Sequence, residues 1–312
     1  MTVRVAVTGL GVVCPLGLTP EDLADALAAG RSGLSQNPAL AVLEDDRAGK
    51  VAKVPVRAWL KRRKDRKLMA RASELALAAA GPALDGFTGD RRELGVFLGV
   101  GREPPDDGES EAALAAACHE GRLDPVRLAG PGRDRYPPLL PLKTLPNMAL
   151  AHVSIHLDVM GENGAWAGEV GAGQRAVVAG IRAVAEGRCP AALVGGADSL
   201  VDLGSARDRL RLGAEGPPGE AAAVLLLEPL AGARAAGRPV LAVVDLDGKP
   251  TPTPSSGLGD EIRAAMGDLG AATVPVELAA HIAAGCPETL CLDRSDAGDV
   301  SAAISVSALS PC

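Results

Sequence analysis

Residues 145–199 read LPNMALAHVSIHLDVMGENGAWAGEVGAGQRAVVAGIRAVAEGRCPAALVGGADS. Periodicity and turn residues divide this stretch into a helix ending at Met160, a short strand over 165–169 and a Gly-rich corner. A helix of about 15 residues and a buried strand over 191–194 follow. In such a strand–corner–helix unit the corner residue is held on a tight turn with the helix N-terminus behind it. The backbone N–H groups and the helix dipole at that point stabilise a thiolate or an oxyanion. The residue at this corner is Val170.

Working outward, the run 3–8 is continuously apolar, as in a strand buried in an α/β sheet. Thr19 is placed to cap a helix that opens at Pro20-Glu21-Asp22 and runs to Ala29. The pattern predicts an amphipathic helix over 67–80 and a strand over 95–100. The stretch 102–143 is loop-rich, with helix only over 109–121, and suits a cap above the core. Helix returns over 146–160. After Gly237 a second, shorter copy of the strand and helix pattern is predicted, with strand 240–246, helix 259–269, strand 289–293 and helix 300–309. The stretch KPTPTPSS at 249–256 reads as a flexible connection. The fold class is therefore α/β, with a first half over 1–236 that contains the cap at 102–143, and a shortened second half over 237–312.

Five stretches in order carry a resemblance to the β-ketoacyl-acyl carrier protein synthase (ketosynthase) family of the thiolase fold. They are VRVAVTGLGVVCPLG at the start, RKLMARASELALAAA after a basic run, the corner segment itself, GEAAAVLLLEPLAGARAAGRPVLAVV, and DAGDVSAAISVSAL near the end. The resemblance implies a layered α-β-α-β-α fold with its second half cut down. It also implies a shortened loop at 199–219 and no terminal hairpin after Leu309.

The family's chemistry needs a nucleophilic Cys at the elbow and two His that hydrogen-bond the thioester oxygen. Aligning GENGAWAGEVGAGQRAV on the family's elbow puts Val170 at the Cys, with Glu169 in place of a small residue. Aligning DAGDVSAAISV on its last helix puts Leu292 at the second His and Pro287 where a Lys is usual. The first His would lie in a loop after a strand near 274–278, where His281 is the candidate, although Ile282-Ala283-Ala284-Gly285 follows instead of the usual Gly-Thr-Gly-Thr. No intact catalytic set is present. Gln174 lies within the helix, so it is not the elbow Gln that chain-length factors often carry.

Composition narrows the field. The chain has 312 residues, aromatics are only 2%, and Trp59, Trp166, Phe87, Phe97 and Tyr136 are the few large rings in an interior of small aliphatics. A net charge of −7 argues against general nucleic-acid binding. No stretch of roughly 18 apolar residues occurs and no signal peptide leads the first strand, so a cytoplasmic protein without membrane attachment is expected. The six Cys, at 14, 118, 189, 286, 291 and 312, lack metal-ligand spacing, so neither a metal site nor a disulfide framework is expected, and no cofactor is implied. GLG at 9–11 lacks the third Gly of a dinucleotide loop and reads as backbone packing at a turn. Cys14 and Cys189 are candidate thiols, and His119, His152 and His156 read as structural.

Lys61, Arg62, Arg63, Lys64, Arg66, Lys67 and Arg71 form a basic cluster in an otherwise acidic chain. It is either a solvated helix face or a docking site for an acidic acyl carrier protein, the role the resemblance implies for this region. By the same resemblance, Ala165, Trp166, Ala167, Gly168 and Glu169 form the edge that pairs with a partner subunit. Three functions compete. The first is a non-catalytic, chain-length-factor-like subunit paired with an active ketosynthase, or with itself, in type II polyketide, aryl polyene or fatty-acid-type assembly. The second is an acyl carrier or acyl-chain binding module without a ketosynthase partner. The third is an enzyme with relocated acyl-transfer or decarboxylase chemistry on Glu169, His281 or a Cys.

Overall fold

The computed structural model describes residues 3–102, 108, 110–247, 257–285 and 303–307. The strands of its main sheet are β1 (Val5–Val13), β2 (Gly95–Val100), β3 (Asn163–Ala167), β4 (Ala192–Ser199), β5 (Glu220–Pro229), β6 (Ala242–Asp247) and β7 (Ala303–Ser307). They form one seven-stranded sheet in the order β7-β6-β1-β5-β4-β2-β3. The β4-β2-β3 end is parallel, and the pairs from β4 through β5, β1 and β6 to β7 are antiparallel. The principal helices are α1 (Pro20–Ala28), α2 (Arg71–Ala83), α3 (Glu111–Ala117), α4 (Met148–Leu157), α5 (Val170–Ala185), α6 (Leu203–Arg211), α7 (Leu230–Ala235), α8 (Leu258–Met266) and α9 (Thr273–Ala283).

Alternation along the strands separates the two faces of the sheet. Val96, Leu98, Val100, Leu193, Ala222, Val224 and Leu226 join α2 and α4 in one core. Phe97, Ala192, Val194, Leu225 and Leu227 point the other way and join α5 and α9. The layers among the described residues are thus helix, sheet, helix. Residues 242–247 and 303–307, from the predicted second half, contribute β6 and β7 to the end of this sheet.

Scarcity of large side chains has a geometric consequence. The helices approach the sheet to backbone contact, and Gly is placed where they do. A Cβ on Gly11 would overlap the carbonyl oxygen of Ala79 in α2, and one on Gly99 would overlap the backbone of Ala172 and Gly173 in α5. The GLG of residues 9–11 therefore lies inside β1 rather than at a turn. Its neighbour Thr8 sits at a register shift in the β1–β5 ladder, where Val7 faces Leu227 and Gly9 faces Leu226.

Several boundaries agree with the sequence. Thr19 accepts a hydrogen bond from the Asp22 N–H at 3.1 Å to cap α1, and β2 has the predicted ends. The strand predicted over 165–169 runs Asn163–Ala167, so Gly168 and Glu169 lie beyond the edge strand, and the stretch 102–143 carries further helical turns at 125–135 and 141–144 besides Glu111–Ala117. Three more elements differ in kind. The helix predicted over 67–80 is preceded by a 3₁₀ turn at Arg63–Leu68, starts at Arg71, and buries every residue from Ala72 to Gly81. It is not amphipathic, because the sheet covers one side and α4 the other. The run 274–278 is helix within α9 rather than strand, since so short a mostly apolar run fits either element and only packing decides. Within the predicted helix 300–309, residues 303–307 form β7. Ile304 and Val306 are both buried there, a period of two that pairs against β6. Leu292, Pro287, the predicted strand 289–293 and the connection 249–256 lie outside the described residues. The stretch 199–219 carries α6, capped by Asp202 on the Ser205 N–H at 2.9 Å.

Candidate functional site

The corner is built as its sequence suggests. β3 ends at Ala167, and Gly168 turns the chain with φ +156°. The Gly168 N–H donates to the Val100 carbonyl at 3.0 Å, which ties the corner to the end of β2. Glu169 occupies the N-cap position with no side-chain cap bond, and Val170 is the first residue of the 16-residue helix α5. Gly99 allows the first turn of α5 to press on β2. A side chain at position 170 therefore stands at the positive end of a long helix dipole. Val170 is partly buried against the α5-side core. It offers neither a lone pair nor a proton.

The titratable group that packing has placed beside this corner is Asp198, near the end of β4 and 2% exposed. Its Oδ1 accepts from the Ser199 N–H at 2.8 Å and its Oδ2 from the Ala271 N–H at 2.9 Å. Gly101 and Gly270 close around it, since a Cβ on either would overlap the carboxylate. Burial pushes this carboxyl up to about 7 against the pull of the two N–H donors, and the nearby Asp268 and Glu169 add to the rise. The sequence contained a signal for it, a lone acid ending the buried run ALVGGAD, which must find partners wherever it folds.

His281 lies in α9, not in a loop, and is buried, which lowers its pKa and favours the neutral ring. Burial pushes the Cys14 thiol up to about 11 and also raises Cys189, so neither is poised as a thiolate. Cys118 is exposed. Among the described residues, no group of three or more His, Cys, Asp and Glu side chains converges to hold a metal ion.

The basic cluster divides in two. Lys61, Arg62, Arg63, Lys64 and Lys67 are exposed. Lys61 pairs with Asp158 and Arg62 with Asp65. Arg63, Lys64 and Lys67 have no ion-pair partner among the described residues. Arg66 makes a two-pronged pair with Glu74, at 2.6 and 3.1 Å. Arg71 turns inward, so it does not belong to the solvated face. Its Nε and Nη2 donate to Glu220 at 2.9 and 2.6 Å, and Nη2 also donates to the Val51 carbonyl at 2.6 Å. Glu220, fully buried, further accepts from the Val51 N–H and the Ser199 hydroxyl, each at 2.8 Å. Sequence reading missed Glu220, although an acid opening the apolar run AAAVLLL demands a buried cation.

The family model described as "Beta-ketoacyl synthase, N-terminal domain" matches residues 2–233. The chain belongs to the β-ketoacyl synthase family and has its thiolase-like fold. A solved structure described as the ishigamide ketosynthase/chain length factor is 25% identical, with a TM-score of 0.62 over 85% of this chain and 69% of that one. A β-ketoacyl synthase from Burkholderia phymatum STM815 is 22% identical, with a TM-score of 0.62 over 85% of this chain and 70% of its own. A type II PKS acyl-carrier protein in complex with its ketosynthase bound to the hexaketide contributes a chain 15% identical, with a TM-score of 0.73 over 99% of this chain and 100% of that one. No curated protein matches the sequence. Among the described residues no helix is long and apolar enough to cross a membrane.

Asp198 gives a pH prediction. With its carboxyl raised from 3.8 to about 7, the folded protein holds a proton that the unfolded chain releases in this interval. Its contribution to stability is therefore full at the acid end and lost as pH rises through about 7. In Asp198→Asn the amide NH₂ must face one of the two N–H donors, which costs about 1–3 kcal/mol. Urea unfolding should show the variant less stable than wild type by that amount near pH 4.5, with the gap narrowing toward pH 8. A gap that is constant or widens with pH would mean the carboxyl titrates normally.

Proposed function

We propose that this chain is a non-catalytic ketosynthase-like subunit of the chain-length-factor kind. It pairs with an active ketosynthase in type II polyketide, aryl polyene or fatty-acid-type chain assembly and presents a basic segment to an acyl carrier protein. The observation that carries the reading is Val170 at the first position of α5. The strand, the corner and the dipole that would activate a nucleophile are kept, and the atom that would attack is absent. The 25% identical structure described as a ketosynthase/chain length factor supports the same reading. Relocated chemistry finds less support, because burial favours the neutral ring of His281 and raises the thiols of Cys14 and Cys189.

Pairing has a candidate edge. β3 is the terminal strand of the sheet and hydrogen-bonds only β2 among the described strands. Since the Gly168 N–H is directed at β2, alternation along the strand directs the N–H groups of Ala165 and Ala167 outward. An open row of donors and acceptors is a template for a second strand. Trp166 is half turned to the inside, 6.3 Å from Phe97 between ring centres, so it stiffens the edge from behind as well as adding apolar area. In Ala167→Pro an outward donor is removed and the β2–β3 ladder is left in place. Light scattering should then show monomer where the wild type pairs, alone or with an intact ketosynthase, with circular dichroism unchanged. Undiminished pairing would exclude this edge.

Docking of an acidic carrier falls to the exposed cations that have no intramolecular partner, Arg63, Lys64 and Lys67. Changing these three to Glu should weaken binding of an acyl carrier protein on the order of tenfold or more at low salt. Near 1 M salt, where the screening length is about 3 Å, the two proteins should differ little. Equal affinity before and after the reversal at low salt would show that the segment is only a solvated surface.

A further inference from the structure

The basic segment is held from beneath by two histidines one helical turn apart on α4. His156 Nδ1 accepts from the Lys61 N–H at 3.3 Å, and His152 Nε2 lies 3.2 Å from the Leu68 carbonyl, to which it can only donate. The two side chains thus grip the segment at its two ends, residues 61 and 68. Their rings are stacked, 5.8 Å between centres and 4° from parallel, and are only 4% and 5% exposed. The other nitrogen of each ring, His152 Nδ1 and His156 Nε2, is buried without a hydrogen-bond partner. These contacts define one proton per ring, on Nε2 in both. A second proton on His156 must go on Nδ1, where it abolishes the bond from Lys61.

We propose that His152 and His156 form a pH-sensitive clamp that holds the segment 61–68 in place while both rings are neutral and that gives way at its Lys61 end when His156 takes up a proton.

The surroundings favour release on protonation. Burial lowers both histidines below the usual 6.5; a charge on His152 lowers His156 further, while the bond to the Leu68 carbonyl favours the charged form of His152. The segment presents Lys61 and Arg62, which oppose a charge on His156, and Asp65, which favours one on both rings. Asp65 is already engaged by Arg62 at 3.1 Å. Of the elements packed on α4, α2 carries Glu74 and Arg71, committed to Arg66 and to Glu220. β2 carries no titratable side chain, and the short helix before α4 carries Lys143. Asp158 at the end of α4 is paired with Lys61. A lowered histidine pKa means that the unfolded or released segment binds more protons, so the clamp's contribution is present above about 6.5 and is lost as pH falls below it. The consequence for function rests on the docking role proposed above, because Arg63, Lys64 and Lys67 lie within the clamped segment; the clamp itself can be read without any partner.

Amide hydrogen exchange of the full chain tests it, with rates corrected for their intrinsic pH dependence. Protection of residues 61–68 should fall about tenfold or more between pH 7.5 and 5.5, since one proton taken up gives about tenfold per pH unit. The amides of α2 should keep theirs. In the double variant His152→Gln and His156→Gln, the amide groups can make the same two bonds without titrating, and protection should be flat across this range. Should that variant not fold, the ring titrations of the wild type by NMR serve instead, and the segment's loss of protection should have its midpoint where the rings titrate. Unchanged protection of 61–68 at pH 5.5 with both rings protonated, or the same pH response in the double variant, overturns the clamp. Failure of carrier binding with the exchange pattern intact would instead count against docking alone.

Discussion

The close approach of α5 to β2 is the constraint on which the rest of the site depends. Gly99 and the pair Ala172-Gly173 remove the side chains that would otherwise hold helix and sheet apart. The first turn of α5 is thereby fixed against the end of the parallel part of the sheet, and the chain can enter it only through a sharp corner after β3. Gly11 and Ala79 do the same for α2 on the opposite face. A chain with almost no aromatics packs well only if its backbones come this near, because small side chains fill little space. The composition and the corner are two consequences of one packing solution.

At that corner the side chain is aliphatic. Val170 satisfies the packing of the α5-side core, while the dipole behind it acts on no charge at position 170. Asp198 has the chemistry of a held brace. Its two oxygens join the end of β4 to the turn at Ala271, and its burial resists ionisation. Buried charge elsewhere is also structural, as Glu220 shows by tying Val51, Arg71 and Ser199 together at the start of β5. The family's fold is present, and the first position of α5 carries Val170, a side chain that cannot act as a nucleophile.

How much of this the residues foretold depends on whether the signal was local. The cap of α1, the bounds of β2 and the corner at Val170 are set by neighbouring residues and could be read directly. The run 274–278 could not, because α9 is covered on every side and even its Glu277 is buried, so no solvated face reveals its period. The same holds for α2, whose leading cations suggested a solvated face until Arg71 turned out to be drawn inward by Glu220, 149 positions away in sequence. The clamp on 61–68 was equally hidden. His152 and His156 have no motif, and only the fold brings them beneath the basic segment.

The most direct measurement is intact mass after incubation with an acyl carrier thioester, in a background with Cys118, Cys286, Cys291 and Cys312 changed to Ala, which removes the thiol exposed among the described residues and those outside them. The wild-type corner should take up no acyl group. With Val170→Cys, the new thiol at the N-terminus of α5 should be acidified by the helix and should take up one. An acyl adduct on the protein with Val170 in place, or a Val170→Cys corner as inert as the original, would contradict the account of an intact elbow that lacks only its nucleophile.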